Sequence, residues 1–191
     1  GVLNVVHGDG KAGEWLVRAG VDHICFTGSA EVGQHIRKVA AESWHKTTSC
    51  EMGSKSACIV FDDADIDMAV DAAIASAFKL SGQRCVSSGR MIVQRGVYDE
   101  FCRKFADKAS ELETGNPFNS DGTVNKDMYY GPIINEQGFN KVWHYGEIVE
   151  ADSQAEVLIG QVRVLLEDNV YCVTPMVYKT EWRGHEAPYL R

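Results

Sequence analysis

The 191 residues are 45% hydrophobic and 24% charged, a globular balance that argues against a disordered chain. A formal net charge of −8, with the acidic residues dispersed and no basic run, argues against a nucleic-acid partner. The six cysteines form no CxxC pair, and no apolar run approaches a membrane span, so no zinc module, disulfide framework or membrane partner is expected.

In chain order, residues 2–6 (VLNVV) predict a short strand, followed by a glycine turn and a short helix, EWLVRAG, ended by Gly20. His23 to Phe26 predict a second strand running into Thr27, Gly28 and Ser29. In the helix that follows, Val32, Ile36, Val39 and Ala40 share one face. Residues 57–61 (ACIVF) predict a third strand. The clearest helix is DDADIDMAVDAAIASAFKLSG. Asp62, Asp63 and Asp65 suit its positive end, Ile66, Ala69, Val70, Ala73, Ile74 and Ala77 form its stripe, and Gly82 stops it. A strand, RMIVQ, precedes a helix with Val97, Phe101, Phe105 and Ala109 inward. A turn-rich loop, NPFNSDGTVNKDMYYG, leads to a helix weakened by Gly138 and Gly146, and then to strands EVLIG and VYCVTPMVY. This alternation predicts an α/β fold with a parallel sheet flanked by helices. A boundary near Thr47 to Glu51 predicts the tail of one domain followed by most of a second. The abrupt ends, GVLNVVHGDGK and EAPYLR, predict a piece of a longer polypeptide.

Three stretches could carry chemistry. CFTGSAEVG, Cys25 to Gly33, is a strand, a tight turn and a helix start, whose unpaired N–H groups suit a pyrophosphate or simply an N-cap. SCEMGSKS offers Glu51 as a general base before a flexible turn, or as a surface acid. GQRCVSSGR offers Cys85 as a nucleophile, which needs an accessible thiolate, or as a small buried residue. Arg84 could assist that thiolate or face solvent, and Cys50 competes beside Glu51. The scattered histidines give no HExxH pattern, and no metal site is expected.

Taken in order, FTGSAEVG, EMGSKSACIVFDDADIDMAV and GQRCVSSGR resemble the NAD(P)-dependent aldehyde dehydrogenases, and YYGPIIN and YCVTPMVY agree with that resemblance. It implies a three-layer α/β architecture with a parallel or mixed sheet. Residues 1–50 would be the end of the dinucleotide-binding domain and residues 51–191 the truncated catalytic domain. The resemblance further implies that Phe26, Thr27, Gly28, Ser29, Val32 and Gly53 hold NAD or NADP. Cys85 would attack the aldehyde, its own N–H and an asparagine from elsewhere would hold the oxyanion, and Glu51 would activate water. The expected partners are a small-molecule aldehyde or semialdehyde and, in the full-length protein, further copies in a homodimer or homotetramer. A reducing compartment, the cytosol or an organelle matrix, suits the cysteines. Family motifs outside these residues make the 191-residue piece alone an expected non-enzyme. An inactive fold relative with a binding role, or a coenzyme A-acylating enzyme, are the alternatives, and a retained Glu51 favours hydrolysis over acylation. Two departures stand out: Ser54 replaces a second glycine after Glu51, and Gln161 stands where glycine is common.

Overall fold

The computed structural model describes residues 1–166 and 170–182. It divides into two compact units, Gly1–Ser54 and Lys55–Arg191.

In the first unit, Asp9 starts helix α1 (Gly10–Arg18) by accepting the Lys11 N–H at 2.9 Å. Lys46 finishes it: Nζ donates to the carbonyls of Val17 and Ala19, each at 2.8 Å, where the helix leaves acceptors unpaired. Strand β1 (His23–Gly28) leads through helix α2 (Ala30–Ala40) to strand β2 (Thr47–Met52). The strands pair in parallel, with His23 opposite Thr47 and Gly28 opposite Met52. A parallel pair cannot close through a hairpin, so α2 is the crossover. Val17, Ile36 and Val39 form the core, with Ile24 and Phe26 packed on it.

Three features of this unit differ from the sequence reading. Residues 2–6 form no strand. Val2, Leu3, Val5 and Val6 are exposed and pair with no strand among the described residues, and strand preference expresses itself only on a paired, half-buried surface. Strand β2 was not anticipated, because TTSCEM alternates exposed and half-buried positions with mostly polar side chains. Val32 is exposed and Gly33 buried in its stead. A Cβ at Gly33 would come within 2.5 Å of the Met52 sulfur, so a larger residue there would require the Met52 side chain to move.

The second unit begins with strand β3 (Ser56–Val60), helix α3 (Ile66–Phe78), a short kinked turn at Lys79–Gly82 and strand β4 (Ser88–Val93). Helices α4 (Tyr98–Ser110) and α5 (Glu136–Ala151) follow. Strands β5 (Glu156–Ile159), β6 (Arg163–Leu166), β7 (Val170–Val173) and β8 (Val177–Lys179) complete the described order. β3 and β4 are parallel, whereas β5–β8 and β6–β7 are antiparallel. The fold is therefore α/β; the parallel pairs follow the alternation, and the antiparallel ones fit the mixed sheet that the resemblance implied. Pro175 lacks an N–H and divides the predicted strand VYCVTPMVY into β7 and β8, which take different partners.

The main core joins Val60, Val70, Ala73, Ile74 and Phe78 to Phe101, Phe105, Ala109 and Val177. Phe105 stacks with Phe78 at 5.8 Å and with Phe101 at 5.6 Å, so α3 and α4 meet through aromatic faces. Lys104 pairs with Asp67 at 2.6 Å, and Lys108 pairs with Asp71, across the same two helices. Of the three aspartates expected at the start of α3, only Asp65 caps it, accepting the Met68 N–H at 3.1 Å. Asp62 instead accepts from Gln94 Nε2 at 2.9 Å, while Gln94 Oε1 accepts the Asp62 N–H, tying the end of β3 to the end of β4. Further along, the Arg163 guanidinium lies 4.3 Å from the centre of Trp143 and 5.5 Å from that of Phe139, seating β6 on α5. The departure at Gln161 also has a place: its side chain occupies the space that a Cβ at Gly146 would need, so the glycine that weakens α5 admits it.

Phe101 is 2% exposed at the centre of this core. Phe101→Ala is expected to lower unfolding stability by about 3–5 kcal/mol in urea titrations followed by circular dichroism.

Candidate active site

In the first unit, parallel pairing brings the candidate residues to one edge. Thr27 lies opposite Glu51 in the register, and Gly53 follows at the end of β2. Strand alternation places Thr27 and Glu51 on the exposed face, whereas Phe26 and Cys50 face the side covered by the helices. Cys50 is accordingly half-buried, which weakens it as a rival nucleophile. The carboxyl ends of parallel strands are where open α/β sheets take ligands. The Phe26 ring folds over Gly28 so closely that a Cβ there would collide with it. Ser29 is the N-cap of α2: its hydroxyl accepts the Val32 N–H at 3.3 Å, leaving the first-turn N–H groups of Ala30 and Glu31 without an intrahelical acceptor. A Cβ at Gly53 would meet nothing within 4 Å, so protein packing does not call for glycine there. An open glycine, an exposed carboxylate and a helix start share this edge.

In the second unit, Cys85 sits between the turn at Lys79–Gly82 and β4 and is exposed. Burial pushes the thiols of Cys102 and Cys172 up, toward the unreactive protonated form. Cys25 is also exposed, because it lies on the open face of β1. The chain reaches Cys85 through three consecutive left-handed residues, Leu80 (φ 55°), Ser81 (φ 56°) and Gly82 (φ 68°). Arg84 binds back onto α3. Its Nη2 donates to the carbonyls of Ala75 at 3.1 Å and Ser76 at 2.9 Å, binding the loop to the last turn of α3. Ser76 and Ser88 hydroxyls meet at 2.7 Å, joining α3 to the first residue of β4. From the sequence alone, these two contacts had no signal beyond the residue types.

Tyr130, in the YYGPIIN stretch, lies edge-on to Phe78 with ring centres 6.2 Å apart. Burial pushes its phenol up to about 12. Among the described residues there is no group of three or more metal-ligating side chains, and no helix is long and apolar enough to cross a membrane.

A family model described as aldehyde dehydrogenase family matches residues 1–182. The chain belongs to the aldehyde dehydrogenase family. The mitochondrial succinate-semialdehyde dehydrogenase of Arabidopsis thaliana is 40% identical over 202 aligned residues, covering 100% of this chain and 37% of that protein. Among solved structures, the gamma-glutamyl-gamma-aminobutyraldehyde dehydrogenase of Burkholderia cenocepacia superposes with a TM-score of 0.83 at 31% identity, over 92% of this chain and 34% of the other. The betaine aldehyde dehydrogenase of Staphylococcus aureus, solved with NAD+, gives 0.78 at 30% identity, over 90% and 33%. This aldehyde dehydrogenase-family chain thus spans about a third of the length of the relatives it matches.

Two measurements probe this geometry. Ser29→Ala is expected to cost about 1 kcal/mol of stability in urea titrations, and Ser29→Asp to restore most of it, because either oxygen caps α2. The folded pKa of Tyr130 lies above the ordinary value of 10, so its stabilising effect is complete below that pH and is lost as pH rises toward about 12. In an alkaline absorbance titration, Tyr130→Phe should remove a tyrosinate step that lies above the ordinary range, and wild type should lose stability over that window more steeply than the variant.

Proposed function

We propose that the full-length protein oxidises an aldehyde or semialdehyde to the carboxylic acid, with Cys85 as nucleophile, Glu51 as base and NAD or NADP as cofactor. The observation that carries this reading is the exposed position of Cys85, between a left-handed run and β4, within a chain of this family. On this reading the first unit is the end of the cofactor domain and the second is the nucleophile-bearing domain. The relatives named above have aldehydes or semialdehydes in their names, which supports that substrate class here.

The Cys85 thiolate adds to the aldehyde carbon, and the carbonyl electron pair moves to oxygen, where the Cys85 backbone N–H can donate to it. NAD or NADP, held by Phe26 to Ser29, Val32 and Gly53, would supply a hydride acceptor, and loss of the hydride would leave a thioester on Cys85. Water then attacks that carbonyl while Glu51 takes its proton. The carbon–sulfur bond breaks, the thiolate returns, and the acid leaves. Phe26 to Ser29 and Val32 would line the dinucleotide turn, with the Ala30 and Glu31 N–H groups toward its phosphates. Gly53 would let the nicotinamide lie against the backbone.

In the full-length protein, Cys85→Ala should lower aldehyde-dependent formation of reduced cofactor by at least about a thousandfold. Glu51→Gln should keep a single-turnover burst of reduced cofactor and slow steady-state turnover by about 100- to 10,000-fold, with acyl-enzyme visible by mass spectrometry. Full activity in Cys85→Ala would refute the assignment.

A further inference from the structure

We propose that Ser81 is a positioning residue whose hydroxyl holds the Cys85 loop in its working conformation by clamping it to Gly131. The inference rests on the reading of Cys85 as the nucleophile.

Three observations meet at Ser81. First, Leu80 and Ser81 are the only non-glycine residues of positive φ among the described residues, and they are adjacent, followed directly by left-handed Gly82. Left-handed backbone is disfavoured for residues with a Cβ, so such a run persists only while something outside it over-determines its shape. Second, the part-buried Ser81 hydroxyl makes a two-way contact with one distant residue. It accepts the Gly131 N–H at 2.9 Å and donates to the Gly131 carbonyl at 3.0 Å. Two residues on, Gln83 Nε2 donates to the neighbouring Pro132 carbonyl at 3.3 Å. Third, packing beside Ser81 is incomplete. A cavity of about 180 Å³ borders the loop, with Phe78, Ser81, Gln83, Tyr130 and Ile133 among its lining residues.

The loop is thus pinned on two sides. Arg84 ties it to the carbonyls of Ala75 and Ser76, and Ser81 ties it to the segment at Gly131. Cys85 is one residue beyond Arg84 and four beyond Ser81. Without the Ser81 hydroxyl, Leu80 and Ser81 can relax toward right-handed conformations, which would swing the following residues and move the thiol. Ser81 touches no reacting atom on this account; it acts through the placement of Cys85.

The test compares full-length wild type with Ser81→Ala and Ser81→Gly. Glycine accepts positive φ without penalty, so Ser81→Gly removes the hydroxyl while keeping the backbone geometry accessible, and it stands in if Ser81→Ala does not fold. Loss of two part-buried hydrogen bonds should lower kcat by about tenfold in both variants, leave the cofactor KM within about twofold, and speed amide hydrogen exchange at residues 79–90 and at Gly131. A kcat unchanged in Ser81→Gly would overturn the proposal. So would unaltered exchange at Gly131 and the loop. A wild-type protein that reduces no cofactor with any aldehyde would sink the nucleophile assignment and the catalytic half of this inference together. The exchange data, independent of turnover, still decide whether Ser81 holds the loop.

Discussion

Parallel strand pairing governs both units of this chain. Two parallel strands cannot be joined by a tight turn, so the chain must leave one strand, run back along a helix and re-enter beside its start. α2 serves β1 and β2 in this way, and α3 serves β3 and β4. The requirement has a chemical consequence at each end of the crossover. Where a strand hands over to its helix, backbone N–H groups and a strand end share one edge. Thr27, Ser29, Glu51 and Gly53 gather there. Where a helix hands back to a strand, the connecting loop must turn sharply, and Cys85 occupies such a loop between α3 and β4.

The second hand-over is the more demanding. α3 carries an almost wholly apolar buried side, with Val70, Ala73, Ile74 and Phe78 in the core, so its position is set by packing against α4 and the strands. The loop beyond it has no comparable apolar anchor. It is held by polar contacts: Arg84 on the carbonyls of the last turn of α3, Ser81 on the main chain of Gly131, and the Ser76 hydroxyl on that of Ser88. A segment built this way can present an exposed thiol at a defined place, because directional hydrogen bonds hold it without burying it. Cys102 and Cys172 illustrate the contrast, since packing that fixes a thiol by burial also raises its pKa.

Much of the fold was legible in periodicity. The stripes of α3 and α4 were read residue by residue, because Val70, Ala73, Ile74, Phe101, Phe105 and Ala109 repeat at helical spacing and all are buried. The misreadings share a cause. Residues 2–6 have the apolar look of a strand but no partner, while TTSCEM looks polar and yet pairs in full register with β1. Strand formation depends on a neighbour, and the neighbour is not written in the strand itself. Val32 was assigned to the inner face by spacing, but close approach of α2 to Met52 gives that side to Gly33.

The order of short motifs, the acidic and small-residue turns and the helical stripes were settled by the amino-acid sequence alone, because each depends on neighbours a few positions away. These features identified the family resemblance and proposed Cys85 and Glu51. Tertiary structure alone decided which oxygen or cation satisfies which backbone group: Asp65 and not Asp62 at the start of α3, Lys46 at the end of α1, Arg84 at the end of α3, and Ser81 on a residue 50 positions away. Those choices rest on distances between segments remote in sequence, and such distances exist only once the apolar stripes have packed.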